Sequence, residues 1–234
     1  MHVKLKAIHT HALDFWLARS SVVVVVGLQL LIINNLTVGP RWLAPALELA
    51  LVAPLSIATA WTQGQARDAT TERHWRAIAL QRRAIRSSAI LLTALITLMN
   101  FGSLLLLVQA LLGGKAGPSG QTLLLDALNI WATNVIAFAL WFWSIDRGGP
   151  AARGLIAREI DDFVFPQMTM DVSKTVWSPG FIDYLYVSFT NATAFSPTDT
   201  MPLTPRAKIL MMVESAISLL TIALVAARAV NILA

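Results

Sequence analysis

The sequence of 234 residues contains no cysteine. This absence excludes disulfide bonds, thiolate metal sites and cysteine nucleophiles. Charged residues are also scarce, because they make up 13% of the chain, whereas about 25% is usual in a soluble domain. The formal net charge of +5 is typical, in so apolar a chain, of lysines and arginines that anchor one face of a membrane. The composition therefore favours a lipid bilayer over nucleic acid as the partner of this protein.

Catalytic and metal-binding patterns are missing as well. The histidines lie in polar segments and have no ligand spacing to carboxylates; they are His2, His9, His11 and His74. Asp161 and Asp162 are adjacent, and adjacent residues of a helix point in different directions, so we interpret them as part of a solvated helix face. We therefore expect no enzyme activity, no metal site and no cofactor.

Apolar residues, in contrast, make up 56% of the chain. Five stretches approach or exceed the roughly 20 residues that cross about 30 Å of hydrocarbon. These predicted spans cover residues 18–36, 42–61, 88–112, 122–145 and 206–233. The basic amino-terminal segment resembles a signal peptide, but it lacks a small-residue cleavage site, so we expect an uncleaved first span. The predicted fold class is an all-α membrane protein with five transmembrane helices.

Residues 1–121 are expected to form an amino-terminal region of three membrane helices. A basic cytoplasmic loop, residues 62–87, joins the second and third spans, and its helical spacing from about Glu72 predicts a helix that continues into the third span. Glu48 in the second span has two interpretations. It is either a residue of an ion pathway or gate, or a carboxylate that reaches the headgroups or pairs with an arginine.

Polar residues recur along the fourth span, where Asp126, Asn129 and Asn134 fall close to one helical face. A polar stripe of this sort faces other helices or water rather than lipid. We interpret it as a set of hydrogen-bonding residues that join neighbouring helices.

Residues 122–234 contain apolar segments that are long enough to cross a bilayer and one that is too short to do so. We expect an outer helix at 122–145, an amphipathic surface helix at 151–165, a short helix at 179–194, an irregular loop at 194–199 and an inner helix at 206–233. The short helix opens on Ser178 and Pro179, and its roughly sixteen residues span about 24 Å, too little to cross a bilayer comfortably. Irregular backbone at membrane depth is tolerated only where protein or water surrounds it. The pattern therefore predicts a re-entrant helix and loop that line a cavity.

The sequence YLYVSFTNATAFSPTDTMPLTPRAKILMMVESAISLLTIALVAARAVNI, residues 184–232, resembles the pore module of tetrameric potassium channels. In that family a pore helix, a filter, a Pro-rich exit and an inner helix follow one another. Three parts of the family pattern are matched: the SFTT-like end of the pore helix, the aspartate that follows the filter, and the Pro-rich segment before the inner helix. The matching residues are, in this order, Ser188, Phe189, Thr190 and Thr193, then Asp199, then Pro202, Thr204, Pro205 and Ala207. The resemblance implies a homotetramer, with the pore helix, the loop and the inner helix of each subunit around a central axis.

The filter itself departs from the family pattern. In place of TVGYG the chain has Ala194, Phe195, Ser196, Pro197 and Thr198. A filter of inward-pointing backbone carbonyls requires the conformational freedom of glycine, whereas Pro197 fixes its own φ and restricts Ser196 before it. Potassium selectivity is therefore not expected.

The distribution of basic residues predicts the orientation. If the spans alternate, one side holds Lys4, Lys6, Arg19, the six arginines from Arg67 to Arg86, Arg147, Arg153, Arg158, Lys174, Arg206 and Lys208. The other side keeps Arg41, Lys115 and Arg228. The positive-inside rule then places the amino terminus and the re-entrant loop in the cytoplasm, the reverse of potassium channels. We expect a bacterial-type inner or plasma membrane as the location.

The predicted function is an ion channel with a weak preference for cations, whose partners are the bilayer, inorganic ions and further copies of the chain in a homotetramer. The alternatives are an anion channel on the same fold and a non-conducting structural or regulatory membrane protein. The predicted filter-like residues are Thr193, Ala194, Phe195, Ser196, Pro197, Thr198 and Asp199. The predicted pore-lining residues of the inner helix are Glu214, Ser215, Ser218 and Thr221.

Overall fold

A computed structural model of the chain describes residues 2–31, 39–50, 52–53, 56–57, 72–112, 120–149, 161–169, 177–194 and 199–233. Within these ranges the main helices are α1 (His2–Leu30), α2 (Glu72–Leu112), α3 (Gly120–Ile145), α4 (Pro166–Thr169), α5 (Phe181–Ala194) and α6 (Pro205–Leu233). A 3-10 turn, Asp146–Gly148, follows α3, and the strands β1 (Phe163–Val164) and β2 (Met201–Pro202) form an antiparallel pair. Residues 43–50 are helical as well.

Four of these helices are long and apolar enough to span a membrane. The segments that qualify are Leu13–Leu30 in α1, Arg83–Leu111 in α2, Gln121–Ile145 in α3 and Pro205–Ala227 in α6. They carry large apolar side chains that no part of the described chain covers, such as Leu98 at 67% exposure and Met212 at 70%. Exposed apolar surface on this scale suits contact with lipid rather than water. The predicted all-α membrane protein is thus supported. Of the predicted second span, residues 42–61, the structure describes 42–50, 52–53 and 56–57.

The helix α2 is continuous over 41 residues, from Glu72 to Leu112. At 1.5 Å per residue it is about 60 Å long, roughly twice the thickness of the hydrocarbon core. Its candidate span begins at Arg83. The prediction that the basic segment runs as a helix into the third span is therefore confirmed.

The helix α3 lies at the centre of the bundle. Of its candidate span 67% is buried, against 28% for the spans of α1 and of α6. It packs against α1, α2, α5 and α6, and consecutive side chains near its carboxyl end, Ala137, Phe138 and Ala139, are at most 1% exposed. Residues 135–143 of α3 are apolar on all sides, and a helix segment of this kind can be buried in this way.

The end of α3 is fixed by backbone conformation. Arg147 and Gly149 have φ values of 51° and 80°, and the Gly149 amide donates to the Asp146 carbonyl at 2.8 Å. A Cβ on residue 149 would lie 2.7 Å from the Ser144 carbonyl oxygen, so glycine is required there. The helix thus ends at residue 145, the end predicted for the outer helix.

The predicted surface helix at 151–165 is wrong over its described part, residues 161–165, because Phe163–Val164 form β1. The cause is a set of contacts made by distant residues. One oxygen of the Asp146 carboxylate accepts hydrogen bonds from the amides of Asp162 at 2.8 Å and Phe163 at 3.3 Å. The Asp162 carbonyl accepts the Leu203 amide at 2.8 Å. These bonds hold the segment extended, since its amides are used outside a helix.

Candidate functional site

A buried polar cluster lies where α3, α5 and α6 meet, and Glu214 is at its centre. Glu214 follows Pro205 by nine residues on α6, hence by about 13 Å along the helix axis. Its side chain has 0% exposure although the surrounding helices are apolar. A carboxyl group at such a depth must be hydrogen bonded to be tolerated.

Two side chains of α5 supply these hydrogen bonds. The Ser188 hydroxyl contacts Oε1 of Glu214 and also the Val135 carbonyl oxygen, at 2.6 Å, so its one proton is shared between the two acceptors. The Asn191 amide donates to Oε2 of Glu214 at 2.7 Å and to the Met211 carbonyl oxygen at 3.0 Å. Both oxygens of Glu214 are therefore bonded to the same face of α5.

The cluster extends from Asn191 and Glu214 towards α3 and along α6. The Asn134 side-chain amide donates to the Ser218 hydroxyl at 3.0 Å and lies 3.4 Å from the Glu214 carbonyl oxygen. The Ser215 hydroxyl donates to Oδ1 of Asn191 at 3.2 Å. We call Asn134, Ser188, Asn191, Glu214, Ser215 and Ser218 the Glu214 cluster. None of its buried side-chain nitrogen or oxygen atoms lacks a hydrogen-bond partner, which makes the cluster a rigid joint between the three helices.

The predicted pore-lining residues of the inner helix are found in or beside this cluster. Glu214, Ser218 and Thr221 are at most 1% exposed and face the chain's own helices, and Ser215 is half-buried. Thr221 uses its hydroxyl on the Ile217 carbonyl of its own helix, at 2.8 Å. These predicted residues therefore pack mainly against the chain's own helices, and a role in lining water stays a prediction.

The predicted filter-like segment begins at the end of α5. Thr193 and Ala194 are exposed there, and the Thr193 hydroxyl donates to the Phe189 carbonyl at 2.8 Å. Phe195, Ser196, Pro197 and Thr198 lie outside the described residues. Asp199 is exposed where the described chain resumes. The structure thus brings Thr193 and Ala194 to the tip of the short helix and separates them from the buried Glu214.

A second group of polar side chains holds the start of α5 and the start of α6 in place. The Tyr184 hydroxyl of α5 donates to Oδ2 of Asp146 at 2.5 Å, and this carboxylate is fully buried. Asp162 accepts both Nε and an Nη of Arg206 at 2.6 Å, and it also accepts the Thr204 hydroxyl. Asp146 therefore joins α3, β1 and α5, and Asp162 joins β1 to the start of α6.

Asp161 and Asp162 do point in different directions, as predicted. Asp161 pairs with Nε of Arg147 at 2.8 Å and is partly exposed. Asp162, however, is fully buried, so its interpretation as part of a solvated face is wrong. The reason is Arg206, whose planar guanidinium binds both carboxylate oxygens from a position 44 residues away.

A third polar group surrounds Glu48 near the opposite end of α1. The Gln29 side-chain amide donates to Oε1 of Glu48 at 2.7 Å, and Glu48 is 0% exposed. The interpretation that Glu48 reaches the headgroups is therefore wrong, and among the described residues Glu48 forms no ion pair with an arginine. Asn129 donates nearby to the Leu28 carbonyl. Together with the Asn134 bonds to α6, this confirms that the polar stripe of α3 joins helices.

Three of the residues that build these groups were not singled out from the sequence: Gln29, Tyr184 and Asn191. Asn191 lies three residues after Ser188 and seven after Tyr184, which places all three on one face of α5. That spacing is visible in the sequence, but it does not reveal which helix the face contacts. Gln29 carries no such signal, because it is a single polar residue at the end of an apolar run.

Comparison with known proteins gave no match, since no family model fits the chain and neither a curated protein nor a solved structure is similar to it.

Proposed function

We propose that this protein is an ion channel built on a re-entrant helix and loop, with α3 as the outer helix and α6 as the inner helix of the pore unit. One set of contacts supports the proposal. In the proposed path a helix of 14 residues enters the bundle beside the start of one span and ends against the middle of another, and the chain then returns to the level at which that helix began. At 1.5 Å per residue this helix is about 21 Å long, which is shorter than the hydrocarbon core.

The level at which α5 begins is given by its contacts. The Phe181 amide donates to Asp14 of α1 at 3.3 Å, and Asp14 is the second residue of the α1 span. Tyr184 is bonded to Asp146, which directly follows the carboxyl end of α3. The amino end of α5 therefore lies near one membrane face.

The level to which the chain returns is given by the strand pair. Met201 of β2 pairs with Val164 of β1, and β1 is bonded to Asp146 through the Phe163 amide. Between these two points α5 reaches Glu214, about 13 Å along α6. The seven residues from Ala194 to Met201 can span up to about 23 Å when extended. This length is sufficient for the return, so the contacts support a re-entrant path.

The proposed roles of the predicted residues divide by exposure. Thr193, Ala194 and Asp199 are exposed, and in the proposed channel they line the constriction together with residues 195–198. Glu214 is buried and anchors α5 to α6, so in this proposal it holds the constriction in place from behind. Short hydrogen-bonded networks of this kind are suited to fixing a helix in one position.

The proposed ion preference is for cations, and it is weak. The carboxyl end of α5 carries the negative end of its helix dipole, and Asp199 adds an exposed carboxylate just after the loop. Both features attract cations. The glycines that a potassium filter requires are missing from residues 194–199, so discrimination between sodium and potassium is not part of the proposal.

Five spans with a cytoplasmic amino terminus complete the proposed arrangement. Helical residues 43–50, the bond between Gln29 and Glu48 and a shared cavity wall of Val22 and Val52 support a further helix that runs antiparallel to α1. Assembly into a homotetramer follows from the resemblance in sequence to the pore modules of potassium channels.

A non-conducting membrane protein with the same architecture is the second candidate. The burial of Glu214, Ser218 and Thr221 between the chain's own helices favours it, because these side chains then serve packing and leave the face of α6 that points away from the subunit apolar. In this case the re-entrant segment closes the axis instead of opening it.

Recording from purified protein in planar bilayers separates the two candidates. Under gradients of potassium, sodium and chloride, the channel gives discrete currents whose reversal potentials favour both cations over chloride. Reproducible silence with all three ions, from protein shown to be folded, would reject the channel in favour of the non-conducting candidate. Preference for chloride would reject the proposed role of the α5 dipole and Asp199.

A further inference from the structure

A cavity of about 60 Å³ lies between α1, α2 and the carboxyl end of α3, and it shares no residue with the Glu214 cluster. Most of its wall is apolar, with Val22, Val52, Leu92 and Leu140 among the lining residues. Its volume is several times the roughly 10–15 Å³ that a single water molecule needs. The apolar wall makes water a poor occupant, because water needs polar partners. The space fits a short apolar chain.

Two arginines line the same cavity, Arg19 of α1 and Arg86 of α2. One Nη of Arg19 and Nε of Arg86 are buried and have no hydrogen-bond partner. Within the described residues neither arginine forms an ion pair. Guanidinium groups stay protonated in proteins, and a buried donor without an acceptor is costly. The cavity thus combines an apolar wall with two positive groups that have no anionic partner within the part of the chain that the structure describes.

Both arginines are oriented towards one membrane face. The Arg19 guanidinium lies over the rings of Phe15 and Trp16, at 5.8 and 5.5 Å from their centroids, so its side chain extends towards the start of the α1 span. Nε of Arg86 lies 3.7 Å from the position of a Cβ on Gly149, in the turn after α3. Long basic side chains at such positions place their charge at the headgroup level.

We propose that this cavity binds an anionic phospholipid, whose phosphate pairs with Arg19 and Arg86 and whose acyl chain enters between α1 and α3. A free phosphate would leave the apolar wall uncovered. A zwitterionic lipid would place a cationic group beside two arginines, and no carboxylate is among the described residues that line the cavity to offset it. An anionic lipid satisfies the buried donors and the apolar wall together. This inference is independent of the proposed channel.

The test is a titration of the purified full-length chain in neutral detergent, followed by native mass spectrometry. Phosphatidylglycerol and phosphatidylcholine with the same acyl chains are the probes, and inorganic phosphate is the competitor. We expect phosphatidylglycerol to bind about tenfold more tightly or better, since hydrogen bonds to charged groups are the stronger ones. Inorganic phosphate at equal concentration should not displace it. Equal affinity for the two lipids would overturn the proposal, and full displacement by phosphate would show a simple anion site in its place.

Variants locate the site. Arg19→Gln and Arg86→Gln should each weaken phosphatidylglycerol binding about tenfold. The matched control is Arg83→Gln, which removes the same charge from an exposed position one turn earlier on α2 and should leave binding within about twofold. Equal losses in all three variants would indicate diffuse attraction to a basic surface and overturn the proposal.

A further variant tests the cavity without changing either arginine, in case the arginine variants do not fold. Ala89→Leu narrows the cavity, which Ala89 lines, and leaves both arginines unchanged. It should weaken phosphatidylglycerol binding at least about threefold, because the acyl chain loses its space. Unchanged binding in this variant would show that the cavity is not the lipid site.

Discussion

The ion pair between Asp162 and Arg206 makes a directional prediction about stability, because its two members differ in exposure. The Asp162 side chain has 0% exposure and the Arg206 side chain 53%. Replacing either residue breaks the same ion pair, which is held by two hydrogen bonds of 2.6 Å. The consequence differs, since the residue left behind is buried in one case and can be hydrated in the other.

The magnitudes follow from this asymmetry. Arg206→Gln leaves the Asp162 carboxylate buried with the Thr204 hydroxyl as its remaining side-chain donor. Breaking a fully buried pair costs roughly 3–5 kcal/mol, and because Arg206 is half-exposed we expect the lower end, about 3 kcal/mol. Asp162→Asn leaves a guanidinium that is half-exposed and can be hydrated, so we expect a loss of about 1–2 kcal/mol. The double variant should cost about as much as Asp162→Asn alone, since no buried charge remains.

The free energy of unfolding in detergent, measured by denaturant titration with tryptophan fluorescence as the signal, tests this order. Lys208→Gln is the matched control, because Lys208 is an exposed cation in the same turn of α6, and its replacement should change stability by less than about 0.5 kcal/mol. A larger loss for Asp162→Asn than for Arg206→Gln would refute the reasoning, and so would simple additivity in the double variant.

Three further predictions concern the polar groups and the path of the chain. Glu214→Gln should cost about 2 kcal/mol in the same unfolding assay, because Ser188 and Asn191 both donate to this side chain and the NH2 group of the new amide must face one of these donors. Glu48→Gln should change stability by less than about 1 kcal/mol, since Gln29 is its one hydrogen-bond donor among the described residues. Equal losses in the two variants would contradict this difference. Asp199→Asn should shift the reversal potential under a potassium chloride gradient towards lower cation preference, whereas an unchanged potential removes Asp199 from the mouth. Reporter fusions at the two termini should read out on opposite membrane faces, with the amino end in the cytoplasm, and a shared face would refute the five-span arrangement.

The helices of the carboxyl-terminal half could be predicted closely from the sequence. The predicted outer helix at 122–145 is Gly120–Ile145, the short helix at 179–194 is Phe181–Ala194, and the inner helix at 206–233 is Pro205–Leu233. The signals are local, since the length of an apolar segment predicts a spanning helix, and a proline directly after a hydroxyl residue predicts where α6 begins. Thr204 indeed caps that helix through the Ala207 amide at 3.4 Å.

The start of α5 differs from the start that the local sequence predicts. Ser178 and Pro179 predict the start of the helix, but the helix begins at Phe181. The Asp183 carboxylate accepts the Gly180 amide at 2.7 Å, and Asp14 accepts the Phe181 amide. These two carboxylates accept hydrogen bonds from amides at the start of the helix that have no partner within it. The helix is therefore capped by Asp183 and Asp14, and it begins two residues later than predicted.

The partners of the polar side chains could not be predicted, because they are far apart in sequence. Asn134 meets Ser218 across 84 residues and Asp162 meets Arg206 across 44. Helical periodicity tells which side of a helix is polar, but not which neighbour that side will face. Glu214 was predicted to line water for this reason, whereas its actual neighbours are Ser188 and Asn191.

The most direct test of the proposed channel uses the absence of cysteine, because a single introduced cysteine is the only target for a thiol reagent. Thr193→Cys places this target at the exposed end of α5, and Leu98→Cys places the control on a lipid-facing surface at 67% exposure. A membrane-impermeant cationic methanethiosulfonate is applied to the cytoplasmic side of a bilayer during recording. We expect the current of Thr193→Cys to fall and those of Leu98→Cys and the unchanged chain to persist. A current that persists in Thr193→Cys after mass spectrometry shows complete modification would contradict the proposal that this segment lines the pore.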